Sequence, residues 1–222
     1  SHVIWTPGVL AAPLTRSPPI KEAGCRLSPK DIPPDWLSKF PSGEEIIRAT
    51  LLRRPRKGLA PDKRLVSRRR CEYEIFQSVE EAYYLPKIKG AVHTLDTFVG
   101  LAQSILQSRK SRSGNSLELH AREIMSEEGL VAGVSFSHRP VIEGGKKPDF
   151  LFPTKAAYET KGFPTARLRM LAAKTTCKDR WRQVLNEADR IREKHLLTLQ
   201  EGVSEGQFRE MSEAGVRLVV PL

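Results

Sequence analysis

Lys174-Thr175-Thr176-Cys177-Lys178-Asp179-Arg180-Trp181-Arg182 runs on to Glu187, and Pro148-Asp149 lies 25 residues before the lysine. The apolar run from Leu168 to Ala173 delivers Lys174 at its end. Such a set of side chains suits the hydrolysis of a phosphodiester. That reaction needs a divalent cation to neutralise charge on the phosphate and to lower the pKa of the attacking water. Hard Mg2+ takes carboxylate oxygens and keeps several waters, so two acidic side chains suffice to hold it. A lysine beside the scissile phosphate stabilises the charge that develops there. Asp149 is the first expected ligand and Lys174 the expected cation.

In the common arrangement of metal-dependent nucleases a second acid follows the lysine by two residues, but position 176 is Thr. Glu187 can replace it from the following helix, expected from Lys178 to about Ile191. Trp181, Val184, Leu185, Ala188 and Ile191 have the spacing of that helix's buried stripe. At about 100° per residue, Glu187 and Arg180 fall together on one edge of the stripe. Arg182, Asp189 and Glu193 point elsewhere. Glu118, on an earlier helix, is an additional acid. Taken singly, each of these side chains reads as a surface carboxylate or a snorkelling lysine. The set carries the argument: an acid on one strand, a lysine in an apolar strand where burial is expensive, and an acid on the flanking helix edge.

The elements that must position these groups follow from periodicity. Ser42-Gly43-Glu44-Glu45 has the form of a capping box that opens a short helix through Leu52. Asp62 is placed to cap a long helix from Lys63 to about Tyr84, with Leu65, Ile75, Val79 and Ala82 at apolar positions. Thr94 opens a helix whose Leu95, Phe98, Val99, Ala102, Ile105 and Leu106 are expected in the core. Gly114-Asn115-Ser116 then starts a separate helix, carrying Leu117, Glu118, Ala121, Ile124 and Met125 and ending at Gly129. Beyond it Val131–Ser137, Asp149–Phe152 and Leu168–Thr175 read as strands, the last buried on both faces. A strand at His195–Leu199, a helix through Phe208 and Met211 ending at Gly215, and a strand at Val216–Val220 complete the pattern. Helices first, then strands interleaved with two helices, imply an α/β layer fold. Its mixed central β-sheet is flanked by helices and preceded by an α-helical N-terminal part.

Lys and Arg number 37 against 26 acids, a net charge of +11, which favours a polyanionic partner. From Arg48 to Arg70 there are ten Lys/Arg and one acid, Asp62. A solvated helix face intersperses the signs, so this stretch reads as a phosphate-contacting surface. No apolar run is long enough to span a bilayer. The start, Ser1-His2-Val3, lacks the marks of a signal peptide, and the missing Met suggests a fragment. Cys25, Cys71 and Cys177 are far apart with no CxxC. They support neither a zinc site nor a disulfide framework and fit a reducing, cytoplasmic compartment. Residues 1–41 hold eight of the sixteen prolines. They read as an arm or linker, parts of which dock on the body through Ile4, Trp5, Leu10, Trp36 and Leu37, and which hints at an N-terminal regulatory domain upstream.

Pro148-Asp149, Lys174 and Glu187 match the rearranged PD-(D/E)XK motif in which the second acid has moved onto the next helix. The run from Lys174 to Asp189 resembles the catalytic domains of the EcoRII family of restriction endonucleases, whose relatives include PspGI and enzymes that cut CCGG-containing sites. The motif-bearing resemblance covers about residues 114–190. It implies a restriction-endonuclease-like core within a catalytic domain at 42–222. It also implies type II, Mg2+-dependent cleavage of double-stranded DNA at CCWGG, ahead of the first C, leaving a 5′-phosphate. Asp149 and Glu187 would be the metal ligands, with Lys174 and Glu118 in the catalytic set. Lys178-Asp179-Arg180, with Arg182, would read bases, since Arg or Lys can donate to guanine and Asp can accept from cytosine. The palindromic site calls for a homodimer. The same relatives extrude the central base pair, and Arg69, Tyr73 and Trp36 are candidates to stack on a flipped base.

Tyr158, nine residues after Asp149, could be taken for the nucleophile of a strand-transfer enzyme, but no Arg/His constellation of that class surrounds it. His93, His120, His138 and His195 lack ligand spacing, and Cys177 reads as a packed thiol. Two rivals remain. A structure-selective or repair nuclease of the same superfamily would not need Lys178-Asp179-Arg180. A non-catalytic DNA-binding domain would use the basic helix 63–84 and tolerate loss of Asp149 or Lys174.

Overall fold

The computed structural model describes residues 24–55, 58–91, 94–177, 180–200 and 202–221. They divide into two compact units, a helical one up to Ala121 and an α/β one from Arg122 onward.

The helical unit contains α1 (Pro34–Ser38), α2 (Gly43–Arg53), α3 (Pro61–Ala91) and most of α4 (Leu95–Glu127). Helix α2 starts at the expected capping box: the Ser42 hydroxyl accepts from the Glu45 amide, and the Glu45 carboxylate accepts from the Ser42 amide. Helix α3 continues past Tyr84, through Pro86, to Ala91. Ile46, Ile75, Phe76 and Val79 form a core that also takes in Cys25, Leu27 and Ile32. The described part of the Pro-rich segment is thus packed into this unit. The Leu27 amide donates to the Ser78 hydroxyl at 2.9 Å, and Arg26 pairs with Glu81.

Four expectations are corrected here. Cys25 and Cys71 form a disulfide, with Cα atoms 5.1 Å apart. Docking of the segment onto α3 brings the two cysteines together, which their sequence separation of 46 conceals. Residues 95–127 form one helix, not two. Gly114 costs only about 1 kcal/mol inside a helix, and the Ser116 hydroxyl, expected to mark a helix start, donates to Glu72 at 2.5 Å. Leu95, Phe98, Val99 and Leu106 are exposed instead of forming core. In the basic run, Arg64 and Arg68 are buried, and Arg68 donates to the Arg54 carbonyl at 2.8 Å. Part of that run therefore holds helices together and does not present charge to solvent.

The α/β unit is built on a five-stranded sheet in the order β1 (Ser137–His138), β2 (Phe150–Phe152), β3 (Arg169–Ala173), β4 (Lys194–Leu197), β5 (Val216–Val219). The first two pairings are antiparallel and the last two parallel, so the sheet is mixed as expected. Helices α5 (Lys155–Glu159), α6 (Trp181–Leu185) and α7 (Glu205–Glu213) lie between the strands in sequence. The core joins Leu151, Met170, Ala172 and Leu196 of the sheet to Trp181, Val184, Ala188, Ile191 and Met211. Gly215 has φ +78°, and a Cβ there would stand 3.3 Å from the Arg192 carbonyl. It therefore precedes β5 in a left-handed conformation that any side chain would strain.

Two elements are shorter than their patterns suggest. Of the expected strand Val131–Ser137, only Ser137 joins β1, and residues 131–136 form a turn with one bridge, Ala132 to Phe136, because Gly129 and Gly133 take positive φ and the Ser135 amide turns back to the Val131 carbonyl. Helix α6 stops at Leu185 instead of reaching Ile191, and Ala188 adopts φ 51°. The buried stripe holds, with Trp181, Val184, Ala188 and Ile191 all in the core. Its last two members sit on a turn and not on a helix. Among the described residues no helix is long and apolar enough to cross a membrane.

Candidate active site at the sheet end

Asp149 immediately precedes β2, and Lys174 immediately follows β3. Because these strands are antiparallel, with Phe150 opposite Leu171, the start of one and the finish of the other lie at the same end of the sheet. The Ala173 amide donates to Asp149 Oδ2 at 2.8 Å and Lys174 Nζ donates to the same oxygen at 2.9 Å. These are charge-assisted bonds of ordinary length. Both fall on Oδ2, and Oδ1 takes no part in them. Asp149 is buried, its side chain 12% exposed, and that of Lys174 is 20% exposed, so the pair is sheltered yet reachable. The Lys174 amide donates to the Leu197 carbonyl at 2.9 Å, which extends the β3–β4 ladder and fixes the lysine's backbone.

The chain then turns through Thr175–Cys177. The Cys177 amide donates to Gln200 Oε1 at 2.6 Å, and its thiol is fully buried, which raises its pKa. It is a packed thiol. Lys178 and Asp179 lie outside the described residues. Arg180 is exposed at the entry to α6. Arg182 is exposed on α6, pairs with Glu210 of α7 at 2.8 Å and lays its guanidinium 4.7 Å over the Trp181 ring.

Glu187 is half-buried in the turn after α6. Its main-chain carbonyl accepts from Lys194 Nζ, and the same ammonium donates to the Ala188 carbonyl at 2.6 Å. Lys194 is 3% exposed, and burial pulls its pKa below the usual lysine range against the opposing pull of Asp189 and Glu187. Tyr158 is buried beneath the same turn. Its hydroxyl donates to Glu143 Oε1 at 2.5 Å and accepts from the Arg190 amide at 3.2 Å. Burial and Glu143 together push its pKa above the usual phenol range, so it is a packing and tethering tyrosine.

The remaining candidates lie in the helical unit. Glu118 is buried on α4. Arg69 donates to Glu72 at 3.0 Å and to the Ser116 hydroxyl. Tyr73 is exposed, with the Arg112 guanidinium 5.0 Å over its ring. Trp36 is half-buried against the core. Sequence reasoning missed Lys194, Glu143 and Lys146 altogether. A lysine opening a strand and two charges in a Gly-rich loop give no signal, since charged residues are almost never fully buried unless paired.

A mixed sheet flanked by helices, carrying an Asp–Lys pair at the junction of two antiparallel strands, is the architecture of a restriction-endonuclease-like α/β domain. Residues 76–222 match the family described as EcoRII C terminal, and the chain belongs to that family. Over 190 residues it is 53% identical to the type II restriction enzyme EcoRII of Escherichia coli, an alignment covering 86% of this chain and 46% of that enzyme. The type II restriction enzyme SsoII of Shigella sonnei is 33% identical over 130 residues, 55% of this chain and 41% of that enzyme. The chain thus spans about half the length of the curated relatives it matches. Two solved structures share the fold at 23% identity. Metal-depleted Ecl18kI in complex with uncleaved, modified DNA has a TM-score of 0.63, covering 88% of this chain and 75% of that one. Metal-depleted Ecl18kI in complex with uncleaved DNA has a TM-score of 0.64, covering 82% and 70%.

Proposed function

We propose that this chain is a type II restriction endonuclease domain that hydrolyses duplex DNA at a CCWGG-type site and leaves 5′-phosphates. The observation that carries the reading is the Asp149–Lys174 pair at the sheet end of a chain in the EcoRII C-terminal family. Mg2+ is the cofactor of this reading. Among the described residues no three His, Cys, Asp or Glu side chains cluster to hold a metal. On this reading Asp149 and Glu187 would hold it, with water completing the shell, a donor set that suits a hard cation. Bound there, the metal would supply charge neutralisation and an acidified water. Ala173 and Lys174 hold the Asp149 carboxylate in one orientation. Lys174, within reach of solvent, stabilises negative charge growing on the phosphate. Glu118→Gln tests a further supporting acid.

Base reading falls to Lys178, Asp179, Arg180 and Arg182, whose donors and acceptor suit G·C edges. A palindromic site is read by a homodimer. If the central base is extruded, the exposed ring of Tyr73 is the first stacking candidate, ahead of Trp36 and of Arg69, whose guanidinium is held by Glu72. The enzyme works in the prokaryotic cytoplasm on this reading. The Cys25–Cys71 disulfide is the feature that runs against a reducing compartment.

The test is digestion of a plasmid of known sequence with Mg2+, with the fragment ends mapped and Asp149→Ala alongside. Discrete fragments ending at CCWGG, lost in the variant, are expected. Cutting at no fixed sequence would replace this reading with a structure-selective nuclease. Binding without cutting across several divalent metals would replace it with a DNA-binding module.

A further inference from the structure

The turn 187–190 is tethered far more heavily than a connection requires. Helix α6 has only five residues, and the Asn186 and Glu187 amides close its end on the Gln183 and Val184 carbonyls. Lys194 crosses from the start of β4 to bind two carbonyls beyond that end, those of Glu187 and Ala188. Ala188 itself is fully buried at φ 51°, a left-handed conformation that a residue with a Cβ keeps only where its surroundings impose it. The next two residues are held by a second set of partners. The Asp189 amide donates to Glu143 at 2.9 Å, and its carboxylate accepts from Lys146 at 2.5 Å. The Arg190 amide donates to the Tyr158 hydroxyl, which is itself bonded to Glu143. The Arg190 guanidinium binds the carbonyls of Tyr158, Thr160 and Phe163.

We infer that Lys194 is a positioning residue for Glu187, fixing through two backbone carbonyls the turn that offers this carboxylate to the metal. This rests on the reading of Glu187 as the second metal acid. An ammonium is expensive to remove from water, and a helix end near the surface can leave its carbonyls to solvent. What a buried lysine adds is rigidity at a defined backbone position. A two-carboxylate site needs that, because ligands must be held to within about 0.5 Å of their working geometry. The Glu143–Tyr158 pair holds the same turn through the Asp189 and Arg190 amides.

The intact chain is titrated with Mn2+ alone, following free Mn2+ by electron paramagnetic resonance, and DNA binding is measured separately in EDTA. Glu187→Gln, which removes a ligand, and Lys194→Met should each weaken Mn2+ binding by about 10-fold or more, for Lys194 the usual effect of losing a ligand's outer support. Metal-free DNA binding should stay at the wild-type level. Wild-type Mn2+ affinity in Lys194→Met, with Glu187→Gln impaired, overturns the proposal and leaves Glu187 a ligand. Wild-type affinity in Glu187→Gln overturns the reading of Glu187 and the proposal with it. Equal loss of Mn2+ and metal-free DNA binding in Lys194→Met assigns the lysine to general folding and overturns the proposal too. Should Lys194→Met fail to fold, Tyr158→Phe removes the α5 hydroxyl that accepts from the Arg190 amide of the same turn. Weaker Mn2+ binding there supports the proposal, and unchanged binding overturns it.

Discussion

In the helical unit, Glu72 is 2% exposed and its carboxylate is used up inside the protein. Arg69 and Arg112 donate to it, Ser116 donates to it, and His120 stands 3.9 Å away. That last separation is no ion pair, because burial and the neighbouring Arg69, Arg68 and Arg112 lower the His120 pKa to about 3. In the α/β unit, Asp149 is also buried, but its two bonds converge on a single oxygen, one from backbone and one from Lys174. Glu72 is surrounded by donors from two helices and is an architectural anion. Asp149 is oriented through one oxygen, Oδ2, which takes both of those bonds. Both carboxylates are buried, Glu72 at 2% and Asp149 at 9% exposure. Glu72 accepts on both of its oxygens, whereas both of these bonds to Asp149 fall on Oδ2.

Breaking the two anions should separate activity from stability. Asp149→Ala is expected to lower cleavage by on the order of 10³-fold or more, several kcal/mol of lost transition-state stabilisation. Thermal melting of that variant should change by only a few degrees. Glu72→Ala should do the reverse. It leaves Arg69 and Arg112 buried against each other, at a cost of about 3–5 kcal/mol read by urea denaturation. If Asp149→Ala unfolds the chain while Glu72→Ala does not, the assignment of scaffold and site is the wrong way round.

A third outcome sharpens the contrast through pH. His120 is pushed from an ordinary 6.5 to about 3 in the folded chain, so on acidification the unfolded chain takes up the proton first. Its contribution to stability is complete above pH 6.5 and is lost as pH falls towards 3. The slope for this one group is at most about 1.4 kcal/mol per pH unit. Denaturation of wild type and His120→Leu at pH 7 and pH 5 checks it, since the variant should lack that part of the slope. The smallest effect is expected at Arg182, whose pair with Glu210 is more than half exposed. Arg182→Ala should change stability by less than about 1 kcal/mol. A fall in site-specific cutting at unchanged stability would mark it as a base reader, and full cutting would confine it to the surface.

Much of the fold was legible because periodicity reports burial directly. The capping box at Ser42, the strands around Leu151, Met170 and Leu196, and the helix through Met211 are found within a residue or two of their expected bounds. Patterns failed where a local signal was taken up by a distant partner. Ser116 serves Glu72 instead of starting a helix, and Gly114 passes inside α4. Arg64 and Arg68 lie within the protein although a run of like charge reads as surface. Helix α6 ends early although its apolar spacing continues.

The sequence alone determined which side chains are available, and that Asp149 and Lys174 flank two apolar strands. A strand pattern fixes the spacing of side chains but not the direction in which two strands meet. Only the tertiary structure decided that β2 and β3 run antiparallel, which brings Asp149 and Lys174 to one end of the sheet and sets the lysine and the Ala173 amide on one Asp149 oxygen. It alone joined Cys25 to Cys71 and placed Lys194 beneath the turn that carries Glu187. Those contacts link residues far apart along the chain or across the end of a helix, where no period in the sequence reaches.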